Sequence, residues 1–334
     1  MSIRAGNKRI LVLLGPTASG KSELAITIAK WLRRHGVLAE VISADSRQVY
    51  RKLCIGTCKV SGKWQSRGKS QIAKGKSFVY KGVPHHLIDF VSPRRTYSPA
   101  EYAEAGRKII HKLFALGHLP IVCGGTGQYI DALLGAHPIP NVPPDAKLRT
   151  RLAKLSAPKL FARLKKLDPR RAKTIDRHNP RRLVRALEIV LKTGHPVPPL
   201  HLTKHTQILE NLRMFQGGGG IEVLKIGLNP PPEESRRRIN ARLVKDLKRG
   251  LVSEARKLHE QGLSWKRLNE LGLEYRLVGQ FLRGEIQTKE DLLQKLQREL
   301  WQYAKRQLRW WKRDTSIVWT RNERDALKIA RASL

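Results

Sequence analysis

The sequence predicts an α/β fold: a parallel sheet built around a P-loop and flanked by helices, with a mainly helical insertion domain. Three observations carry this. The apolar run "RILVLLG" ends in Gly15-Pro16-Thr17-Ala18-Ser19-Gly20-Lys21-Ser22 and passes directly into a helical pattern. That is the strand–loop–helix order of a phosphate-binding loop. Further apolar, β-rich runs alternate with helical patterns, as expected of parallel strands covered on both faces. From about Asp145 to Thr193, by contrast, no strand pattern occurs.

Taken in order, "RILVLLG" is a strand without a charged residue beyond its first, so both of its faces are buried. A helix follows from Lys21 to about Arg34, and "AEVISAD" forms a second buried strand ending at Asp45. The segment from Lys59 to Lys81 carries Lys59, Lys63, Arg67, Lys69, Lys74, Lys76 and Lys81 and no acidic residue. It reads as a nucleic-acid-contacting loop of little regular structure, with a candidate strand at "SFVYK". In "GVPHHLIDF", the adjacent His85 and His86 point to opposite faces of a strand, so at least one is structural. A helix from Ser98 to about Leu116 leads to the strand "LPIVCGG". The insertion spans residues 141–215, between core segments 1–140 and 221–334, and "QGGGG" is the connector that returns the chain to the core. The strand "VLKIGLN", a long helix from about Glu233, a break at Gly262, the basic aromatic helix "WQYAKRQLRWWKRD" and the strand "SIVWT" complete the chain.

Composition narrows the function. Lys and Arg number 66 against 27 Asp and Glu, a formal charge of +39 over 334 residues. An excess of this size points to phosphate backbones as partners. The three cysteines, Cys54, Cys58 and Cys123, form neither a disulfide framework nor a zinc spacing, which fits a reducing, cytoplasmic compartment. No apolar run approaches the ~20 residues of a membrane helix.

The P-loop supplies converging N–H groups, the Lys21 charge and a Ser22 hydroxyl suited to Mg²⁺. Asp45 ends a strand beside it, where ligands bind in such sheets. It suits water-mediated Mg²⁺ binding, acceptance of a proton from a nucleophile, or a helix cap. Ser46 and Gln48 are suited to a base edge. Gly124, Gly125 and Gly127 around Thr126 permit close approach of a ligand after another core strand. In "HNPRRLVRALEIVLKTG", Asn179 caps a helix with Pro180 at its first position, and Leu183, Leu187 and Val190 form its buried stripe. Arg181 and Arg185 share another face, where an anion between them would relieve their repulsion. In "YAKRQLRWWKRD", cations alternate with Tyr303, Trp310 and Trp311, a pattern that serves either stacking on bases or an amphipathic core helix.

The ordered set "GPTASGKS", "SADSRQVY", "IGTCK", "VPHHLID", "GGTGQYI", "NPRRLVRALE", "RINAR" and "YAKRQLRWW" resembles the tRNA dimethylallyltransferases, also called tRNA isopentenyltransferases. The resemblance covers nearly the whole chain. It implies transfer of a dimethylallyl group from dimethylallyl pyrophosphate to N6 of the adenine just 3′ of the tRNA anticodon, using Mg²⁺; the sequence offers no obvious dimer seam, so a monomer is expected. It places the donor pyrophosphate on Gly15 to Ser22, with Mg²⁺ at Ser22, and makes Lys21, Asp45 and Thr126 catalytic. It assigns tRNA contacts to Asp45, Ser46, Arg47, Gln48, Thr126, Arg149, Arg181, Arg182, Leu183, Val184, Arg185, Lys305, Arg306, Gln307, Leu308, Arg309, Trp310, Trp311 and Lys312. Two departures stand out. "LGLEYR" (Leu271 to Arg276) replaces a Gly-Tyr segment near RNA, and Pro232 stands where many members carry an arginine. Arg236 or Arg237 is the expected substitute for that arginine. Prenylation of free AMP, ADP or ATP, a small-molecule kinase and a non-catalytic RNA-binding protein are the competing readings.

Overall fold

The computed structural model describes residues 8–66, 76–135, 140, 142–198 and 220–334. Its strands are β1 (Lys8–Leu14), β2 (Ala39–Ser43), β3 (Lys63–Ser66), β4 (Lys76–Tyr80), β5 (Val83–His86), β6 (Leu119–Gly124), β7 (Ile221–Leu228) and β8 (Ile317–Thr320). They form one sheet in the order β3-β4-β5-β2-β6-β1-β7-β8. The six strands from β5 to β8 in that order run parallel. All five strands expected from apolar runs lie among them.

The edge differs from expectation. β4, at "SFVYK", is joined by β3, and the two pair antiparallel to each other, with β4 antiparallel to β5. Every residue of β3 is exposed, so "KWQS" carries no apolar alternation for a sequence reading to detect. The residues between β3 and β4, including Arg67, Lys69 and Lys74, lie outside the described residues.

Register fixes the working edge of the sheet. Leu14 of β1 lies beside Gly124 of β6, and Ser43 of β2 beside Cys123. The loops after β1, β2 and β6 therefore leave from one edge, the carboxyl ends of parallel strands, where such sheets bind ligands. Behind that edge, α1 (Lys21–Arg34) buries Leu24, Ile28 and Leu32 in a core shared with Leu11, Leu13, Ile121 and Ile226 of the sheet. Each such side chain contributes about 1.5–3 kcal/mol on burial. α2 (Pro99–Ala115) starts in a reciprocal Ser98–Glu101 capping box, and α3 (Gly127–Leu134) follows β6 directly.

Two compact units divide the chain: Met1–Leu134 with Lys204–Leu334, and Gly135–Thr203. The second starts a little earlier and ends earlier than the expected insertion. It consists of α4 (Ala146–Ala153), α5 (Ala157–Leu167), α6 (Pro169–Thr174) and α7 (Pro180–Thr193) around Leu148, Leu152, Leu160, Leu164, Leu183 and Leu187. As the sequence implied, Asn179 caps α7, accepting from Arg182 N, with Pro180 at the first helical position. The "QGGGG" connector lies largely outside the described residues.

After β7 come α8 (Pro232–Lys248), α9 (Leu251–Glu260), α10 (Trp265–Leu271), α11 (Leu273–Leu282), α12 (Lys289–Trp311) and, beyond β8, α13 (Glu323–Ser333). Two acidic residues in its first turn, Glu233 and Glu234, complement the dipole of α8. No helix among the described residues is long and apolar enough to cross a membrane.

Candidate active site and nucleic-acid interface

The phosphate loop closes on itself. Lys21 Nζ donates to Pro16 O at 3.1 Å, and burial lowers the pKa of its ammonium. Gly20 is left-handed at the start of α1, whose first N–H groups have no intrahelical acceptors. Inside the loop, the buried Ser19 hydroxyl has no hydrogen-bond partner among the described residues. A buried orphan of this kind, beside a lysine and a helix N-terminus, suits an anion.

The loop is braced by arginines, but not by those expected. Arg238 donates to Ser19 O at 3.1 Å, and Arg242, one turn later on α8, donates to Thr17 Oγ1 at 2.6 Å. They open and close the "RINAR" motif, and their i,i+4 spacing is the sequence signal for the pair. Arg236 instead lies over the Trp301 ring at 4.8 Å, so the expected substitution by Arg236 is corrected. Arg242 is held in turn by Glu274 at 2.8 Å and by Asp246 at 3.4 Å. Burial raises the pKa of Glu274, and the adjacent Arg242 opposes that shift. Tyr275 is buried too, and its hydroxyl donates to Glu254. Glu254 also accepts the backbone N–H groups of Cys54, Ile55 and Gly56, so the "IGT" turn wraps around a carboxylate. Glu274 and Tyr275 thus support the site from within rather than presenting a surface to RNA.

Asp45 is half-buried at the end of β2. Its Oδ1 accepts from Arg47 N at 2.8 Å and Gln48 N at 3.3 Å. No partner holds Oδ2 among the described residues. The local turn therefore orients the carboxylate and leaves one oxygen for chemistry. Thr126 tethers the same turn, its Oγ1 accepting from Ser46 N at 3.0 Å while its own N–H donates to Ala44 O. Gln48 is spent on structure: Nε2 donates to Thr57 O and Cys58 O, and Oε1 accepts from Ser43 Oγ. Its expected base-reading role is corrected accordingly.

The glycines around Thr126 also have a different reason. A Cβ at Gly124 would strike the Ala44 backbone, one at Gly125 would come within 2.5 Å of Gln307 Nε2, and one at Gly127 would strike the Trp310 ring. Their smallness admits protein groups. Gln307, expected among the RNA contacts, is buried, as is Trp311, which lies in the core. Trp310 donates Nε1 to Asp131 at 2.8 Å. On α12, Lys305, Arg306 and Arg309 remain exposed, as does Lys312 at its C-cap, with Leu308 half-buried.

In the helical unit, Arg181 and Arg182 are exposed, whereas Leu183 is fully buried and its expected RNA contact is corrected to a core role. Val184 is partly buried against the same core. The anion that meets Arg185 is the protein's own, although it brings in Arg149 and not Arg181. Glu188, fully buried, receives Arg149 through two bonds of 2.8 and 2.7 Å and Arg185 at 2.6 Å. Burial alone would raise its pKa, but the bonds from Arg149, Asp145 N and Arg185 outweigh it and hold the carboxyl at about 2. Sequence reading missed Glu188, although it is the one acid among the arginines of that helix.

Two further expectations change. Lys59 is buried, bonded to Tyr50 O and Asp89, so it is no RNA contact, and Lys81 pairs with Glu23. Lys63 and Lys76 remain exposed. His85 Nδ1 pairs with Val83 O, and His86 Nε2 pairs with the buried Glu40, so both histidines are engaged within the fold.

Residues 48–314 match the family model described as IPP transferase. The chain is 37% identical over 305 residues to tRNA dimethylallyltransferase 2 of Trichlorobacter lovleyi, covering 91% of this chain and 88% of that protein. It is 33% identical to tRNA dimethylallyltransferase of Dictyoglomus turgidum, covering 93% and 86%. Among solved structures it resembles the full-length tRNA isopentenylpyrophosphate transferase of Bacillus halodurans, with a TM-score of 0.64, 28% identity, and 98% and 96% of the two chains covered. It also resembles a eukaryotic dimethylallyltransferase acting on tRNA, with a TM-score of 0.67, 25% identity, and 91% and 70% covered. By these matches the chain belongs to the IPP transferase family.

Proposed function

We propose that this chain transfers the dimethylallyl group of dimethylallyl pyrophosphate to N6 of the adenine adjacent to the tRNA anticodon on its 3′ side, giving N6-dimethylallyladenosine. One observation carries the reading. A phosphate loop braced by Lys21, Arg238 and Arg242 leaves the same sheet edge as an oriented carboxylate, Asp45. An adenine amine is a poor nucleophile, because its lone pair is delocalised into the ring. Transfer therefore needs a stabilised leaving group and an acceptor for the amine proton. As the donor C–O bond breaks and the C–N bond forms, pyrophosphate stays on the loop, where Lys21 and the arginines meet its charge. The N6 proton passes to Asp45. Thr126 keeps the Asp45 turn in place through Ser46.

The donor set fits Mg²⁺. That ion takes oxygen ligands and keeps several waters and substrate phosphates, so one protein hydroxyl, Ser22, suffices on the protein side. When bound, Mg²⁺ would neutralise the departing pyrophosphate.

The tRNA anticodon stem-loop would meet the exposed Arg181 and Arg182 and the half-exposed Arg149 and Arg185 in the helical unit, and Lys305, Arg306 and Arg309 on α12 with Lys312 just past its end. A polyanionic substrate fits the charge of +39, which prenylation of free AMP does not need. The relatives are named for action on tRNA, which supports the same choice. We expect a cytoplasmic monomer. The test is incubation with dimethylallyl pyrophosphate, Mg²⁺ and unmodified tRNA, followed by mass spectrometry of the nucleosides. The expected product is N6-dimethylallyladenosine in the tRNA. Product on AMP but not on tRNA would overturn the reading.

A further inference from the structure

Gln307 is buried on α12 between exposed cations, and its carboxamide is used at both ends. Oε1 accepts from Thr17 N at 2.9 Å, and Nε2 donates to Gly125 O at 2.7 Å. Thr17 belongs to the phosphate loop. Gly125 immediately precedes Thr126, the residue that tethers the Asp45 turn. One side chain thus spans the loop after β1 and the loop after β6. Only a carboxamide carries an acceptor and a donor on one rigid plane at this length. A glutamate could accept from Thr17 N but would leave Gly125 O without its donor. A methionine of similar bulk would satisfy neither.

The surroundings are built for this bridge. Arg242 holds the other side of Thr17 through its hydroxyl at 2.6 Å. Gly125 gives Gln307 Nε2 the space that a Cβ would take. One turn of helix further along, Trp310 is anchored to Asp131 on α3. The bridge is therefore supported at both ends and along the helix that carries it.

We infer that Gln307 is a positioning residue for the prenyl transfer: it sets the spacing between the loop that holds the donor and the turn that holds the proton acceptor. This rests on the function proposed above. Group transfer is sensitive to such spacing, and a displacement of about 1 Å can cost on the order of 10²-fold in rate. Each substrate is bound mainly by other groups, so loss of the bridge should lower kcat and leave the affinities largely in place.

The test is steady-state and single-turnover prenyl transfer by wild type, Gln307→Met, Gln307→Glu and Gly125→Ala, alongside thermal unfolding. Gln307→Met should lower kcat by about 10–10²-fold, with KM for donor and for tRNA each within about threefold of wild type. Gln307→Glu should fall between the two. If Gln307→Met fails to fold, Gly125→Ala puts the same question from the other side of the bond. Its loss of kcat should also shrink in a Gln307→Ala background, where the added Cβ meets no amide. Raised KM values with kcat unchanged would overturn the positioning role, as would equal effects of Gly125→Ala in both backgrounds. Absence of prenyl transfer by the wild-type protein would instead remove the functional reading beneath it.

Discussion

The two sets of arginines in this protein are arranged on opposite principles. At the phosphate loop, Arg242 is largely buried, fixed by Glu274 and Asp246, and aimed at one hydroxyl. In the helical unit, a single buried carboxylate, Glu188, gathers Arg149 and Arg185 but leaves both guanidinium groups partly open to solvent. Fixed, desolvated cations suit a small anion of defined shape. Half-exposed cations, arrayed with Arg181 and Arg182, suit a long polyanion whose affinity depends on salt. The comparison shows that net charge alone is a poor guide to roles: carboxylates decide which cations are rigid and which are free to meet a partner.

The most severe way to break the site is through Asp45. Asp45→Asn keeps the two backbone hydrogen bonds within reach and removes the proton acceptor. Turnover should fall on the order of 10²–10⁴-fold with tRNA affinity little changed. Near-normal turnover would remove Asp45 from the chemistry.

Arg242→Ala attacks the fixed set directly. It leaves the largely buried Glu274 without its counter-charge and the buried Asp246 with only Arg249, at 3.9 Å, and breaking such an arrangement costs about 3–5 kcal/mol. Donor KM should rise as well. Arg181→Ala, an exposed change, should alter stability by less than about 0.5 kcal/mol and weaken only tRNA binding. Similar unfolding midpoints for the two variants would erase the distinction drawn between the sets.

Burial without a counter-charge sharpens the contrast. His85, under the edge hairpin, has its pKa pushed by burial from 6.5 to about 4. A depressed histidine pKa means that the unfolded chain takes up the proton first. Above pH 6.5 the group contributes no pH dependence, and between pH 6.5 and about 4 the folded state loses up to about 3 kcal/mol. His85→Gln should flatten that acid-side loss in denaturant titrations. An unchanged pH slope would show that other groups produce it.

How much of this was legible in the sequence follows from contact range. The phosphate loop, the Asp45 strand end and the five parallel strands are local patterns, and each was readable from a short stretch. The reason for Gly125 and Gly127 was not. Gln307 lies 182 residues from Gly125, and Trp310 lies 179 residues from its partner Asp131. Glycines beside a strand end therefore looked like space for a ligand. Lys59 looked like a free cation because Asp89, its partner, stands 30 residues away beyond the hairpin. β3 was invisible for another reason: an edge strand exposed along its whole length needs no apolar pattern. Glu188 was within reach, since an acid three residues after Arg185 on an arginine-rich helix is an i,i+3 signal.

The smallest effect bears on the central claim most directly, because it separates the two sets of cations in one experiment. Affinity for an unmodified anticodon stem-loop and for dimethylallyl pyrophosphate should be measured by calorimetry across one salt series, in wild type and in Arg181→Gln/Arg182→Gln. The account predicts that RNA affinity falls steeply with salt, and that its log–log slope flattens in the variant by roughly 0.7–0.9 for each phosphate contact removed. It predicts that donor affinity and its salt dependence are the same in both proteins. An unchanged RNA slope together with weakened donor binding in the variant would contradict it.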